Sequence, residues 1–170
     1  KKYKTFLADR LMYRKTWMFP RNKRYIEPYK IVTIIRILRN IVGEEEWSGN
    51  QEIQNKFTKS LEQLGIKKTG AQRDENTGGA RTYIAQLELL GLVFEKDGIP
   101  YPTIAGEELA NGGNSIEIMQ NQLINLQYPS PYSRGSFVNI DPSIKIKPFK
   151  FVLEILKDSS IKYLTEVETI

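Results

Sequence analysis

The chain has 170 residues, enough for one ordinary domain of ~100–200 residues or a domain with an appendage, and carries 25 Lys and Arg against 20 Asp and Glu, a formal charge of +5. It contains no cysteine and no histidine, which removes disulfides, Cys/His zinc sites, cysteine nucleophiles, Ser-His-Asp triads and nucleases that use a histidine base. The charge is unevenly placed, since residues 1–42 hold 12 Lys/Arg and 2 Asp/Glu while residues 43–170 hold 13 and 18. A part at +10 joined to a part at −5 is the asymmetry expected of a polyanion-binding arm or face.

With 40% apolar and 26% charged residues the composition is globular rather than disordered. No apolar run approaches the ~18 residues of a membrane span and no signal peptide opens the chain, so a cytoplasmic location is expected. The start at Lys1, and the stop at Ile170 just after the capping-box spacing of Thr165 and Glu168, lead us to expect an N-terminal piece of a longer protein.

Residues 1–29 form a basic arm. Between Lys1 and Lys30, Tyr3, Tyr13, Trp17, Phe19, Tyr25 and Tyr29 alternate with ten basic side chains. Such a segment can hold phosphates by releasing counterions and stack aromatics on bases, or it can be a basic tail whose aromatics dock into the core. Arg21, Lys23 and Arg24 are its densest candidate phosphate contacts.

A winged-helix domain is expected over residues 30–111. Pro28 can occupy the first helical position, and Ile31, Ile34, Ile35, Leu38, Ile41 and Val42 then recur at helical spacing up to Gly43. The opposite face of this first helix carries Lys30, Arg36 and Arg39. Ser48 and Gln51 fit a capping box for a second helix that buries Ile53, Phe57, Leu61 and Leu64 and stops at Gly65. A polar, glycine-containing loop over 67–79 leads to a third helix with Ala80, Tyr83, Ile84, Leu87 and Leu90 inward, closed by Gly91. Leu92–Glu95 and Ile99–Thr103 are strand candidates joined by Lys96, Asp97 and Gly98, and Asp-Gly favours a hairpin turn. Three helices followed by a hairpin predict a winged helix-turn-helix, mainly α with a small β-hairpin.

Residues 112–170 are expected to be a helical extension leading into a further domain. A short helix over Ala105–Ala110 precedes Gly112 and Gly113, after which Ser115 can cap a helix carrying Ile116, Met119, Leu123 and Leu126. Pro129 and Pro131 make Tyr128–Gly135 a loop. Phe149–Lys157 is apolar nearly all round, the pattern of a buried helix.

On the third helix a 100° step turns Arg81, Thr82, Ala85 and Gln86 outward. Arg can bond guanine bidentately, Gln can bond adenine, Thr can offer a hydroxyl or methyl, and Ala permits close approach. The same residues also suit an ordinary solvated helix face. Leu89 points outward too and needs cover, for which the hairpin is a candidate. Lys67, Lys68 and Arg73 precede this helix where cations often hold the DNA backbone, although the segment also suits a flexible connection. Arg134, in the proline-containing loop, is a further candidate phosphate contact.

No catalytic or metal-binding set emerges. A PD-(D/E)xK nuclease needs a carboxylate two residues before a lysine to set a metal ligand beside the group that activates water, and none of the 20 Asp and Glu residues has Lys at that spacing. Glu44, Glu45 and Glu46 read as a solvated turn.

Lys15-Thr-Trp17 with Arg21-Asn22 opens a series of matches. Gly78-Gly-Ala-Arg-Thr-Tyr83 running into Gln86-Leu87 and Leu90-Gly-Leu92 continues it, followed by Pro102-Thr-Ile-Ala-Gly106, Gln120-Asn-Gln-Leu123, Leu126-Gln-Tyr-Pro-Ser-Pro131 and Ile146-Lys-Pro-Phe149. In this order, over about residues 15–170, the chain resembles the AlwI-like family of type IIS restriction and nicking endonucleases. The resemblance implies that the chain is the target-reading part of such an enzyme, built on winged-helix modules and binding double-stranded DNA as a monomer. It further implies that a metal-dependent cleavage domain, with its Mg2+, belongs to another part of the same protein. Two other functions remain open on the residues alone: a winged-helix transcription regulator, which would bind palindromes as a dimer, and a protein-interaction winged helix whose arm meets an acidic partner.

Overall fold

The computed structural model describes residues 28–43, 45–68, 78–128, 130–132, 145–161 and 163. In chain order these form α1 (Pro28–Val42), α2 (Gln51–Gln63), α3 (Gly78–Leu89), β1 (Val93–Lys96), β2 (Ile99–Pro102), α4 (Ile104–Ala110), α5 (Ser115–Asn125) and α6 (Pro148–Leu156). The described residues are thus mainly helical, with one two-stranded antiparallel hairpin.

Helix α1 is the axis of the assembly and packs against α2, α3, β2, α4 and α5. Its Ile31, Ile34, Ile35 and Leu38 join Ile53, Phe57 and Leu61 of α2 and Ala80, Tyr83, Ile84 and Leu87 of α3 in one apolar cluster, as their spacing predicts. Each Ile, Leu or Phe among them contributes about 1.5–3 kcal/mol by leaving water. Leu92, Val93, Leu109, Ala110 and Ile118 extend the cluster, so the segment after residue 111 shares the core of the first three helices.

Several local expectations shift by a few residues. Helix α2 is capped by Asn50, whose Oδ1 accepts from Ile53 N at 3.2 Å, and not by Ser48. The reason is tertiary: Trp47 is buried against Phe57 with ring centroids 5.4 Å apart, and Trp47 N donates to Gly98 O at 2.8 Å. Ser48 and Gly49 therefore turn, and the helix begins after them. Leu64, expected inside, falls at the C-cap of α2 and is 59% exposed. Helix α5 is capped by Asn114, its Oδ1 accepting from Glu117 N, with Ser115 as its first residue. Ile118 is the buried residue of that helix, while Ile116 lies outside.

The hairpin pairs Val93 with Pro102 and Lys96 with Ile99. Asp97 and Gly98 both have positive φ, 52° and 80°, the type I′ geometry that matches strand twist. Helix α3 ends in a Schellman motif in which Gly91 N donates to Glu88 O and Leu92 N to Leu87 O, with Gly91 at φ +67°. Thr103 caps α4, its Oγ1 accepting from Gly106 N at 3.2 Å.

The largest departure is α6. Phe151 is 63% exposed, and Phe149, Leu153 and Leu156 are also open, so this helix is not the buried one its composition suggests. It is only nine residues long and packs on α5. One helix contact covers one stripe, and an all-apolar sequence leaves the other stripes uncovered.

Candidate nucleic-acid interface

Helix α3 presents its outward side unevenly along its length. Arg81, one turn from the N-terminus, is exposed, and Thr82, Ala85 and Gln86 are half-buried. Further along, Glu88 and Leu89 are buried at 8% and 4%. Leu89 lies beside Leu126, Ser130, Pro131 and Tyr132 in a cleft of about 240 Å3, so the segment after α5 lies along this end of α3, a role the sequence had suggested for the hairpin. Of the three candidate base readers, Arg81 and Thr82 lie in the N-terminal half, Arg81 exposed and Thr82 half-buried. Gln86 lies one turn further along, and its Oε1 is shut off from solvent without a hydrogen-bond partner among the described residues.

The cations before α3 are not equivalent. Lys67 Nζ lies 2.6 Å from Glu62 Oε1, and its side chain is only 12% exposed. A phosphate held by Lys67 would have to displace Glu62. Lys68 is exposed. The Tyr83 hydroxyl donates to Ile66 O at 3.4 Å, which ties the segment leading to Lys68 to the first half of α3. Arg21, Lys23, Arg24, Arg73 and Arg134 lie outside the described residues.

The basic face of α1 serves a different end from the one its charge suggests. Arg36 Nε donates to Ala110 O at 2.7 Å, and an Arg39 guanidinium nitrogen reaches Glu107 at 3.1 Å and Asn111 at 2.9 Å. Both arginines therefore serve the C-terminal end of α4, where unpaired carbonyls and the helix dipole favour cations. No sequence signal joins these positions, which lie about seventy residues apart along the chain.

The hairpin tip is pinned and acidic. Trp47 N and Ser48 N both donate to Gly98 O, and the Glu46 side chain lies against Gly98. Exposed Glu46 and Asp97 accompany Lys96 there, a balance that disfavours a phosphate backbone. Among the described residues no three His, Cys, Asp or Glu side chains gather as a metal-binding group, and no helix is long and apolar enough to cross a membrane.

A protein-family model described as the N-terminal part of restriction endonuclease BpuJI matches residues 7–168. No curated protein matches the chain.

Proposed function

The chain belongs to the family of restriction endonuclease BpuJI N-terminal parts, and from that premise we propose that it is the target-reading part of a restriction endonuclease and binds double-stranded DNA sequence-specifically. In this reading α2 and α3 form a helix-turn-helix and the hairpin a short wing, which braces the loop at Trp47 instead of gripping phosphate. The observation that carries the reading is the uneven face of α3: its first half carries the exposed Arg81, while Glu88 and Leu89 in its second half are buried. Recognition helices of this motif touch bases through their N-terminal residues, and that is the half in which Arg81 is exposed. The order of three helices and a hairpin, with the bonds of Trp47 and Ser48 to Gly98, supports the winged-helix assignment.

Arg81 and Thr82 are the proposed base readers, with Lys68 on phosphate. Gln86 reads a base after its side chain rotates outward. Among the described residues its buried amide oxygen has no partner, which costs about 1–3 kcal/mol, so rotation onto a base edge would relieve that cost. Arg21, Lys23, Arg24 and Arg73 are proposed as further phosphate contacts, with Lys67 and Arg134 subsidiary. The AlwI-like resemblance narrows the enzyme to the type IIS or nicking kind, reading an asymmetric site as a monomer, with cleavage and its Mg2+ in another part of the protein.

Selection of duplexes from a random pool tests the proposal. The chain should enrich one asymmetric site, and Arg81→Ala should cost ~1–3 kcal/mol on it while relaxing a single position. Absence of enrichment, or an unchanged ratio of enriched to random duplex in Arg81→Ala, refutes it.

A further inference from the structure

We infer that Gln122 and Ser130, which lie outside the three-helix unit, are positioning residues that set the aim of α3, an inference resting on the DNA-reading role proposed above. Once the Schellman motif has closed α3, Leu90 O and Gly91 O still lack backbone donors among the described turns and loops. Gln122 Nε2, from α5, donates to Leu90 O at 2.9 Å and to Gly91 O at 3.0 Å. Thr103 Oγ1 adds a bond to Gly91 O at 2.8 Å. Ser130, only 1% exposed, donates its Oγ to Glu88 O at 3.2 Å and accepts from Tyr132 N at 3.3 Å.

The approach is close. A Cβ at position 91 would stand 2.9 Å from Gln122 Nε2 and 3.3 Å from the Tyr132 ring, so only glycine lets the amide reach both carbonyls. Ser130 sits between two prolines, which fix φ on either side of this segment. The covered end of α3 is therefore held from α5 and from the segment after it, in addition to its packing on α1 and α2.

That clamp matters because the reading end is a lever arm away. Arg81 and Leu90 are nine residues apart, or ~13.5 Å along a helix. A tilt of about 5° at the clamp then moves Arg81 by roughly 1 Å, enough to spoil a bidentate contact whose bonds tolerate only a few tenths of an ångström. Phosphate contacts by long, flexible side chains tolerate the same shift. Loss of the clamp should hence lower preference for the right sequence and leave affinity for any duplex in place.

The experiment compares the whole chain with Gln122→Met, Ser130→Ala and the double variant, on the duplex enriched from the random pool and on a random duplex, with melting temperature measured in parallel. Gln122→Met keeps the side chain's length and removes its donor, and Gln122→Lys restores one. The ratio of the two affinities should fall about 10-fold per lost clamp, the equivalent of one net hydrogen bond, while random-duplex binding stays within about twofold and Gln122→Lys recovers the ratio. If the double variant keeps the ratio while Arg81→Ala lowers it, or if both affinities fall by the same factor, the positioning role is overturned and the DNA-reading role stands. If Arg81→Ala also leaves the ratio unchanged, the DNA-reading role falls and takes this inference with it.

Discussion

Adding one methyl group at Gly106 should unfold the protein at lower denaturant, even though alanine is the better helix former. Gly106 is buried in the first turn of α4, and an alanine Cβ would overlap the backbone carbonyl oxygen of Leu92 while standing 3.3 Å from Pro102 Cβ. The overlap places that carbon about 1 Å inside an ordinary C···O contact of ~3.3 Å. A backbone oxygen has no rotamer in which to escape, so α4 must lift away from the junction between α3 and β1. Overpacking of this kind costs about 1–3 kcal/mol. The lift also strains Thr103 N to Leu92 O, 3.0 Å, and Thr103 Oγ1 to Gly91 O, 2.8 Å, each worth ~1 kcal/mol.

Against this stands a helix-propensity gain of at most ~1 kcal/mol for Gly→Ala, so the net loss is about 2–4 kcal/mol. In a chain of 170 residues each lost kcal/mol lowers Tm by roughly 2–4 °C. Urea titration by circular dichroism and by tryptophan fluorescence should show an earlier midpoint at unchanged slope. The sign decides the matter: an unchanged or raised midpoint would mean that α4 does not approach Leu92 as described.

Trp47→Ala should cost ~3–5 kcal/mol, because Trp47 is buried against Phe57 and its backbone anchors the hairpin turn; a loss below ~1 kcal/mol by the same titration contradicts that role. Phe151→Gln should shift stability by no more than ~0.5 kcal/mol, since the ring is 63% exposed, and a large loss would show that this face is covered in solution. Asp158 is held below the ordinary carboxylate range, chiefly by the Ser160 hydroxyl at 2.6 Å and then by Ser160 N at 2.9 Å. Because the folded value is depressed, this turn's stabilisation is present above the unfolded pKa and fades as pH falls through the folded one. Ser160→Ala should move the Asp158 midpoint upward in an NMR titration, and an unmoved midpoint would remove the hydroxyl as its cause.

The legible part of the fold is the part decided within a few residues. Ile31, Ile34, Ile35 and Leu38 repeat at helical spacing and are buried, and Asp97-Gly98 turns the hairpin because both residues tolerate positive φ. The missed caps show where that ends. Ser48 is as good a cap as Asn50 by chemistry, and the choice fell to Asn50 because Trp47 is bound to a glycine fifty-one positions away. The candidate site divides in the same manner. The outward side of α3 follows from periodicity, but the covering of its second half depends on Leu126 and Ser130, which no local pattern connects to Leu89.

By itself, the sequence determined the helices, the hairpin, the main core faces and the basic N-terminal quarter, because periodicity and turn chemistry act over short range. Only the tertiary structure decided which charges and which apolar faces remain open. Arg36 and Arg39 are spent on the end of α4, Lys67 on Glu62, and the apolar stripes of α6 are left in the open. Whether a side chain meets a partner or water depends on what folds over it from tens of residues away. That information resides in the packing of elements and not in the pattern of any one of them.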